Sequence, residues 1–368
     1  MITIEVFILN YNGQALLPRC LPSILAAAKR VPWPCRVTVI DNDSTDQSVA
    51  WLAQHHPEVT VIPQPNRGLC SFNPVLAKSN ADVAVLLNND VQLSPNCLKH
   101  LIRPLLPESN KGDSSTSEVL GRCTLTAPRC FLMTDNVENA PVYEGLKTAV
   151  RWRSGLVQAT SWFPGYEKVS GLPDETAVAG SVFAVDRRRF VELGGFDAIF
   201  LPGRIEDLDF CYRAYLAGDR LCYVPDAIAY HWGAATFSLA YGETGCLRLA
   251  YRNTLLFQWL RLRDPAHRLR QLFGISLRIL REVGTCWWKP HGERWLFTGA
   301  FLEACHRYFT VKADISLPRQ SSQREKKFFA RFSPRCLANP SSNSSPGDLV
   351  QESSPQELSP LVGVEGQG

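Results

Sequence analysis

The amino-acid sequence predicts an α/β fold, a doubly wound and mostly parallel sheet followed by a C-terminal helical extension. In residues 2–90, short apolar segments rich in β-branched residues alternate with segments whose apolar residues recur at helical spacing. Such alternation is typical of parallel sheets with right-handed crossovers. Several of the apolar segments also end in clustered Asn and Asp side chains. Because ligands bind beyond the carboxyl ends of the strands in these sheets, the clusters predict a binding site.

The predicted elements follow one another closely along the N-terminal part. Strands are predicted over residues 2–9, 36–40, 59–62 and 83–87, and helices over 16–28, 47–55 and 73–80. Ser44 or Thr45 is expected to cap the second of these helices. Farther along, 177–185 is predicted to be a strand with Gly180 at its centre, where a ligand or backbone can approach closely. A short helix over 187–193 should follow it.

Polar side chains stand at the ends of three predicted strands. They are Asn10 and Tyr11 after the first, Asp41 and Asn42 after the second, and Asn88, Asn89 and Asp90 after the fourth. Each cluster alone also fits an ordinary polar turn. The carboxyl ends of parallel strands meet at one edge of a sheet, so the three clusters together predict a site for a metal ion or a phosphate group.

A second acidic cluster lies at the start of a later predicted helix. Glu206, Asp207 and Asp209 stand where the helix dipole favours carboxylates, so capping of the helix is one explanation. A carboxylate near a metal or phosphate site also offers a general base for a reacting hydroxyl. His231 ends the strand-like segment 222–230, and a neutral imidazole can join a carboxylate at a divalent metal, although a lone histidine is more often structural.

Eight segments between residues 4 and 231 resemble, in order, the family 2 glycosyltransferases of the GT-A fold, in particular the branch similar to bacterial rhamnosyl- and galactofuranosyl-transferases. The segments are FILNYNG, VIDNDSTDQS, PNRGLCSFN, LLNNDV, VAGSVFAVDRRRF, GGFDAIF, EDLDFCYRAYLAGDR and YVPDAIAYH. The resemblance implies an inverting, metal-dependent enzyme that moves a sugar from a UDP- or dTDP-linked nucleotide-sugar to a hydroxyl group. The implied acceptor is a glycan or a lipid-linked glycan in cell-surface polysaccharide synthesis.

The resemblance also implies roles for individual residues. Asp207 matches the catalytic base, and Glu206 and Asp209 would support catalysis or bind the acceptor. Asn88 and Asp90 match the element that holds Mg²⁺ or Mn²⁺ on the diphosphate, with His231 as a further metal ligand. The implied nucleotide-sugar contacts are Asn10, Tyr11, Asp41, Asn42, Asn66, Arg67, Gly68, Asn88, Asn89 and Gly180.

Asn88 departs from the family pattern, in which many members have Asp. An amide oxygen still coordinates a divalent cation, but the site then has one negative charge fewer. The sequence therefore predicts weaker cation binding that depends more on the diphosphate.

Composition narrows the classes of function. A formal charge of +4 over 368 residues does not favour a nucleic-acid partner. The twelve cysteines form no CxxC pair, and most of them are expected to be small buried residues in a reducing compartment. No signal peptide is recognisable, and no apolar run reaches the ~18 residues that span a bilayer. These features predict a cytoplasmic protein, with peripheral contact with an anionic membrane on its inner face as an open alternative.

The chain is predicted to divide into a catalytic domain over 1–245, a basic helical extension over 246–317 and a disordered tail over 318–368. Residues 107–118 are predicted to form a mobile loop, and no function is assigned to residues 125–156. In the extension, apolar residues from Leu269 to Val283 recur at helical spacing with arginines largely opposite. This amphipathic helix could lie on an anionic membrane, or it could pack its apolar stripe on the catalytic domain.

Two other functions fit parts of the sequence. A nucleotidyltransferase also uses an α/β sheet with acidic metal ligands, but no Gly-rich basic phosphate loop follows the first strand. A non-catalytic protein that binds a nucleotide-sugar or a glycan would be compatible with the weakened metal site at Asn88.

Overall fold

The computed structural model describes residues 2–106, 122–133, 142–143, 147–233, 235–288, 294–315 and 322–339. The strands are β1 (Ile4–Asn10), β2 (Cys35–Asp41), β3 (Thr60–Pro63), β4 (Val83–Asn88), β5 (Val91–Leu93), β6 (Cys123–Leu132), β7 (Val142–Tyr143), β8 (Ala149–Arg153), β9 (Leu156–Thr160), β10 (Asp174–Glu175), β11 (Val182–Asp186) and β12 (Arg220–His231). The helices are α1 (Leu17–Ala28), α2 (Ser48–His55), α3 (Phe72–Lys78), α4 (Cys97–Ile102), α5 (Tyr166–Val169), α6 (Arg187–Glu192), α7 (Glu206–Leu216), α8 (Ala235–Arg261), α9 (Pro265–Thr285), α10 (Leu296–Thr310), α11 (Ser322–Arg331) and α12 (Pro334–Ala338).

One large sheet has the strand order β10-β12-β6-β11-β4-β1-β2-β3. The strands β3, β2, β1 and β4 run parallel, as the sequence predicts, and their register sets Asn10 beside Asp41 and Leu9 beside Asn88. β11 enters antiparallel between β4 and β6, whereas β12 is parallel to β6. The α/β class is thus confirmed, and the sheet is parallel in its N-terminal half and mixed beyond it.

Helices cover both faces of this sheet, which explains why its central strands are apolar throughout. Successive side chains of a strand point to opposite faces. In β4, Val85 and Leu87 join the core beneath α1 and α4, whereas Ala84 and Leu86 join the core beneath α3 and α6. This burial on both faces fixes the register of β4 and hence the position of the polar residues that follow it.

Two local predictions, one for the start of α2 and one for the strand at 177–185, are wrong. Neither Ser44 nor Thr45 caps α2; the carboxylate of Asp46 accepts a hydrogen bond from Ser48 N at 3.0 Å instead. The strand predicted over 177–185 begins only at Val182, so Gly180 precedes it rather than lying at its centre. Gly180 has a φ of +77°, a conformation that glycine adopts without strain.

The C-terminal helices are closely joined to the rest of the molecule. The boundary predicted at residue 245 falls inside α8, which is interrupted only at Gly242. A third core combines α7, α8 and α11 through residues such as Tyr212, Phe257 and Phe328. The predicted tail is therefore wrong for residues 322–339, because aromatic residues of α11 are drawn into this core.

Other expectations lie partly or wholly outside the described residues. These are the loop over 107–118 and the tail beyond residue 339.

Cys20, Cys97 and Cys211 are buried free thiols, as predicted. No helix in the described ranges is both long and apolar enough to cross a membrane.

Replacing Phe328 with Ala tests the packing of the C-terminal helices. Phe328 is fully buried and its ring lies 5.0 Å from that of Tyr212. We expect the free energy of unfolding to fall by about 3–5 kcal/mol, because a large buried side chain leaves a cavity. The same substitution at Phe309, which is 83% exposed, should change it by less than about 0.5 kcal/mol. Equal urea midpoints for the two variants would contradict the packing described for α11.

Candidate active site

A cavity of about 900 Å³ opens beyond the carboxyl ends of β1, β2 and β4. Its other walls come from the β8–β9 hairpin, the loop that leads into α7, and residues 240–254 of α8. Its position agrees with the general rule for α/β sheets that ligands bind beyond the strand ends. It lies where the polar clusters predicted a site.

Most of the residues predicted from the sequence line this one cavity. They are Tyr11, Asn42, Asn66, Gly68, Asn88, Asn89, Asp90, Gly180, Glu206, Asp207 and His231. Two groups that are distant in the sequence thus meet: the strand-end residues and the acidic pair with His231. Their individual roles remain predictions.

Asn10, Asp41 and Arg67 are predicted contacts that do not line the cavity. Asn10 is buried one layer below, where its side chain accepts a hydrogen bond from Asn89 Nδ2 at 3.0 Å and donates one to Asp41 Oδ1 at 3.1 Å. Arg67 is exposed and is not part of the lining, although its neighbours Asn66 and Gly68 are. Direct ligand contact by these three residues stays a prediction, and in the structure Asn10 links Asn89 to Asp41 through hydrogen bonds.

Gly13 belongs to the same layer, and no sequence argument identified it. A Cβ atom at this position would lie 2.1 Å from Asn10 Oδ1 and 2.5 Å from Asn89 Nδ2. Any larger residue would therefore break the hydrogen bond that orients Asn89. The segment Asn-Gly after the first strand was the available signal, but it fits an ordinary turn equally well.

Asp90 and His231 form the candidate metal site. β5 pairs with the end of β12, so that Val91 stands opposite His231 and the two side chains meet. His231 Nε2 lies 3.1 Å from Asp90 Oδ1, and both side chains are buried. Asp90 Oδ1 accepts no hydrogen bond from any residue that the structure describes. A buried carboxylate oxygen beside an imidazole nitrogen is a donor set that suits a divalent cation.

Few further ligands are available at this site. Within the described ranges, no group of three or more His, Cys, Asp or Glu side chains could hold a metal ion. Asn88 lines the cavity nearby and could add an amide oxygen. A cation here would thus need ligands from outside the protein.

Glu206 and Asp207 begin α7 on a strained turn. The preceding residues Arg204 and Ile205 have φ angles of +80° and +79°. Such angles cost roughly 1–3 kcal/mol of free energy per residue, and they persist only where the surrounding structure holds the backbone in place. Asn253 of α8 supplies this support, since its Nδ2 donates to the carbonyl oxygens of Phe200, Gly203 and Arg204 at 2.6 to 2.9 Å.

The two carboxylates resist full ionisation. Burial, together with the charge of Asp207, raises the pKa of Glu206 to about 8. Burial also raises the pKa of Asp207, although the Arg204 guanidinium opposes this effect. With a pKa of about 8, Glu206 holds its proton near neutral pH, and Asp207 lines the cavity beside it as a second carboxyl group that could act in acid–base chemistry.

Asp209 is not available to an acceptor, and the prediction that it binds one is wrong. It is fully buried, and its oxygens contact Arg213 Nε at 2.8 Å and Arg261 Nε at 2.5 Å. Burial opposes its charge, but Arg213 and Arg261 hold its pKa below the usual range. Asp209 therefore stabilises the fold around the acidic pair.

The β8–β9 hairpin is a wall of the cavity that the sequence did not assign. Ser154 and Gly155 form its turn with φ angles of +47° and +77°, and Arg151 and Arg153 of β8 line the cavity. Ser-Gly between two segments of alternating polarity is a hairpin signal. That signal could have predicted the hairpin, but not which way it faces.

Part of the chain is similar in sequence to known glycosyltransferases. Residues 5–112 match the model of the family described as glycosyl transferase family 2. The putative polypeptide N-acetylgalactosaminyltransferase 10 of Drosophila melanogaster is 22% identical over 206 residues, which cover 54% of this chain and 31% of that protein. This chain thus spans about a third of the length of that relative.

Two solved structures show the same fold. The crystal structure of GalNAc-T7 with UDP, GalNAc and Mn²⁺ aligns with a TM-score of 0.54 at 16% identity, over 93% of this chain and 56% of that one. S. aureus TarS 1–349 in complex with UDP-GlcNAc aligns with a TM-score of 0.50 at 15% identity, over 83% of this chain and 81% of that one. The prediction of a GT-A-type fold is confirmed.

The raised pKa of Glu206 predicts a pH-dependent stability. The folded state retains a proton from the ordinary pKa of 4.5 up to about 8, whereas the unfolded state releases it. Stability should therefore fall as the pH rises through this window. Between about pH 6 and about pH 9, wild type should lose on the order of 2 kcal/mol more unfolding free energy than Glu206→Gln, which cannot ionise. Denaturant titrations at both pH values measure this, and parallel losses would contradict the buried state of Glu206.

Proposed function

We propose that this protein is an inverting, metal-dependent glycosyltransferase that moves a sugar from a nucleotide-sugar to an acceptor hydroxyl. The observation that carries the proposal is the meeting of two groups in one cavity: Asp90 with His231, and Glu206 with Asp207. The family match over residues 5–112 and the fold support it.

The donor would occupy the side of the cavity formed by the strand ends. Tyr11, Asn42, Asn66 and Gly68 offer an aromatic ring, amide groups and backbone to a nucleoside. The two solved structures of the same fold contain UDP and UDP-GlcNAc. A UDP-linked donor is therefore our first choice, with a dTDP-linked donor as the alternative from the sequence resemblance. The transferred sugar would be a hexose or rhamnose.

A divalent cation, Mg²⁺ or Mn²⁺, would be held by Asp90 and His231, with Asn88 as a weaker neutral ligand. When bound, it would supply a Lewis acid that stabilises the charge on the leaving diphosphate. The burial of Asp90 Oδ1 beside His231 Nε2, at 3.1 Å, supports this assignment. So does the Mn²⁺ of the GalNAc-T7 structure.

Asp207 would act as the general base. It would accept the proton of the acceptor hydroxyl as that oxygen attacks the anomeric carbon, on the face opposite the diphosphate. A single displacement of this kind inverts the anomeric configuration. Glu206, protonated near neutral pH, could donate a hydrogen bond to the acceptor or the sugar without competing for the proton.

The acceptor would enter along the opposite wall. Arg151 and Arg153 are exposed there, and Tyr241 and Tyr251 of α8 line the same part of the cavity. Aromatic faces suit sugar rings, and the two guanidinium groups suit an acceptor that carries an anionic group. We infer a glycan or lipid-linked glycan of cell-surface polysaccharide synthesis.

A panel of UDP-, dTDP- and GDP-sugars, each with and without Mn²⁺, tests the proposal. Release of the nucleoside diphosphate that depends on both the sugar donor and the cation supports glycosyl transfer. Release of pyrophosphate would instead support a nucleotidyltransferase. Donor binding without turnover across acceptor mixtures would support a non-catalytic binding protein.

Replacing Asp207 with Asn should abolish transfer while leaving donor binding intact, because the amide cannot accept the proton. Turnover should fall by at least about 10²-fold, the usual contribution of a general base. The donor Kd from calorimetry should change by less than about twofold. The matched control is Asp226→Asn, an exposed position on β12 outside the cavity. Near-normal turnover in Asp207→Asn would exclude Asp207 as the base.

Substitutions at the metal site should move the Mn²⁺ requirement in opposite directions. Asp90→Asn removes the charged ligand and should raise the Mn²⁺ concentration for half-maximal activity at least about tenfold. Asn88→Asp adds a charge at the same edge and should lower that concentration. Activity of both variants is measured over a Mn²⁺ titration at saturating donor, and unchanged curves in both would contradict the assignment of the site.

A further inference from the structure

The helix α9 turns an apolar face outward. Its exposed apolar side chains are between 47% and 71% accessible and are Leu269, Leu272, Phe273, Leu277, Leu280 and Val283. Their spacing of three and four residues places them on one side of the helix. Trp287 and Trp288, directly after the helix, are 78% and 83% exposed. Soluble surfaces rarely carry a contiguous apolar strip of this kind without a partner.

The opposite side of α9 is the one that packs on the protein. Gly274 lies against Gly155, where a Cβ atom on Gly274 would come within 2.3 Å of the Gly155 Cα. The guanidinium group of Arg278 donates to the carbonyl oxygens of Ser154 at 2.9 Å and Arg153 at 3.1 Å. The expectation that the apolar stripe packs on the catalytic domain is therefore wrong. The glycine contact, Arg278 and the buried Ile275 hold the helix, and the six exposed apolar side chains are left outside.

The charges around the exposed face have one sign. Arg268, Arg270 and Arg281 are exposed along its margins. The only acidic residue within α9 is Glu282, which is buried and accepts hydrogen bonds from Phe297 N at 2.9 Å and Thr298 N at 2.7 Å. Because Glu282 is buried and caps α10, the outer surface of α9 carries apolar side chains, arginines and the neutral Ser276, and no acidic side chain of α9 is exposed there.

We propose that α9 lies in the surface of an anionic lipid bilayer. Its apolar face would enter the boundary between headgroups and acyl chains, and its arginines would meet the lipid phosphates. The two tryptophans suit the same depth, because an indole ring combines an apolar body with a polar N–H group. Charge complementarity selects lipid over a second copy of this chain, since a symmetric contact would bring the arginines of two α9 helices together.

The position of α9 relative to the cavity gives this contact a consequence. The β8–β9 hairpin touches the buried side of α9 through Ser154 and Gly155, and its Arg151 and Arg153 line the cavity. The hairpin therefore connects α9 to the wall of the cavity that we assign to the acceptor. If the proposed function holds, an acceptor anchored in the same bilayer would reach that wall from the lipid surface. Binding to lipid itself does not depend on the proposed function.

Vesicle sedimentation of the full chain tests the proposal. Phosphatidylcholine vesicles with and without phosphatidylglycerol are compared at low and high salt. We expect the protein to sediment with the anionic vesicles at low salt, and its bound fraction to fall at high salt, because screening weakens the arginine contacts. Protein that stays in the supernatant with anionic vesicles at low salt would overturn the proposal.

Matched substitutions assign the contact to α9. Leu272→Asp should lower vesicle affinity at least about tenfold, whereas Leu172→Asp, at an exposed leucine away from α9, should not. Circular dichroism melting checks that both variants fold. Nucleoside diphosphate release with a water-soluble acceptor should be equal in both variants, so a loss of lipid binding is distinguishable from a failure of the proposed function. Equal vesicle affinity of the two variants would overturn the proposal. So would light scattering that shows a dimer for wild type and a monomer for Leu272→Asp.

Discussion

The arrangement of the candidate active site depends on one buried cation, Arg261. Its guanidinium group lies 2.6 Å from Asp197 and 2.5 Å from Asp209, and donates to the carbonyl oxygen of Ile315 at 2.9 Å. A buried charge is costly unless its partners are in place, so these four segments can be stable only together. Asp209 sits one turn into α7, and the cluster therefore fixes the turn that carries Glu206 and Asp207.

Two independent constraints then build the two halves of the cavity. Sheet pairing between β5 and β12 brings Asp90 to His231. Helix α8 supplies the other constraint, because Arg261 holds α7 and Asn253 holds the strained residues before it. The C-terminal helices thus take part in building the site rather than forming an appendage. This explains why a cut at residue 245, natural from composition, does not correspond to a boundary in the structure.

The sequence predicts best those features that depend on interactions between residues close together in the chain. The strand that ends at Asn88 is apolar because it is buried on both faces, so both its extent and its polar end could be recognised. The acidic pair was recognisable from its place at a helix start. The resemblance of the motifs to a known family predicted that the strand-end residues and the acidic pair belong to one site.

The other features depend on contacts between residues far apart in the chain, and these could not be predicted from the sequence. Asp209 looks like its neighbours Glu206 and Asp207 in the sequence, but it pairs with Arg213 of the same helix and with Arg261, 52 residues later, and is buried away from the cavity. The segment 322–339 lies within a stretch whose overall composition predicts disorder, yet Phe328 and Phe332 pack into the aromatic core with Tyr212 and Tyr215. The apolar stripe of α9 is visible in the sequence as a helical pattern. The pattern alone does not reveal which face of the helix packs on the protein, because the Gly155–Gly274 contact and the Arg278 hydrogen bonds lie on the opposite face.

The most direct test of the central claim is a crystal structure with Mn²⁺ and the nucleoside diphosphate of the active donor. We predict that the cation binds Asp90 and His231, that the nucleotide lies along Tyr11 and Asn42, and that Asp207 stays free of the metal within the same cavity. A cation bound by Glu206 and Asp207, or a nucleotide bound outside this cavity, would contradict it.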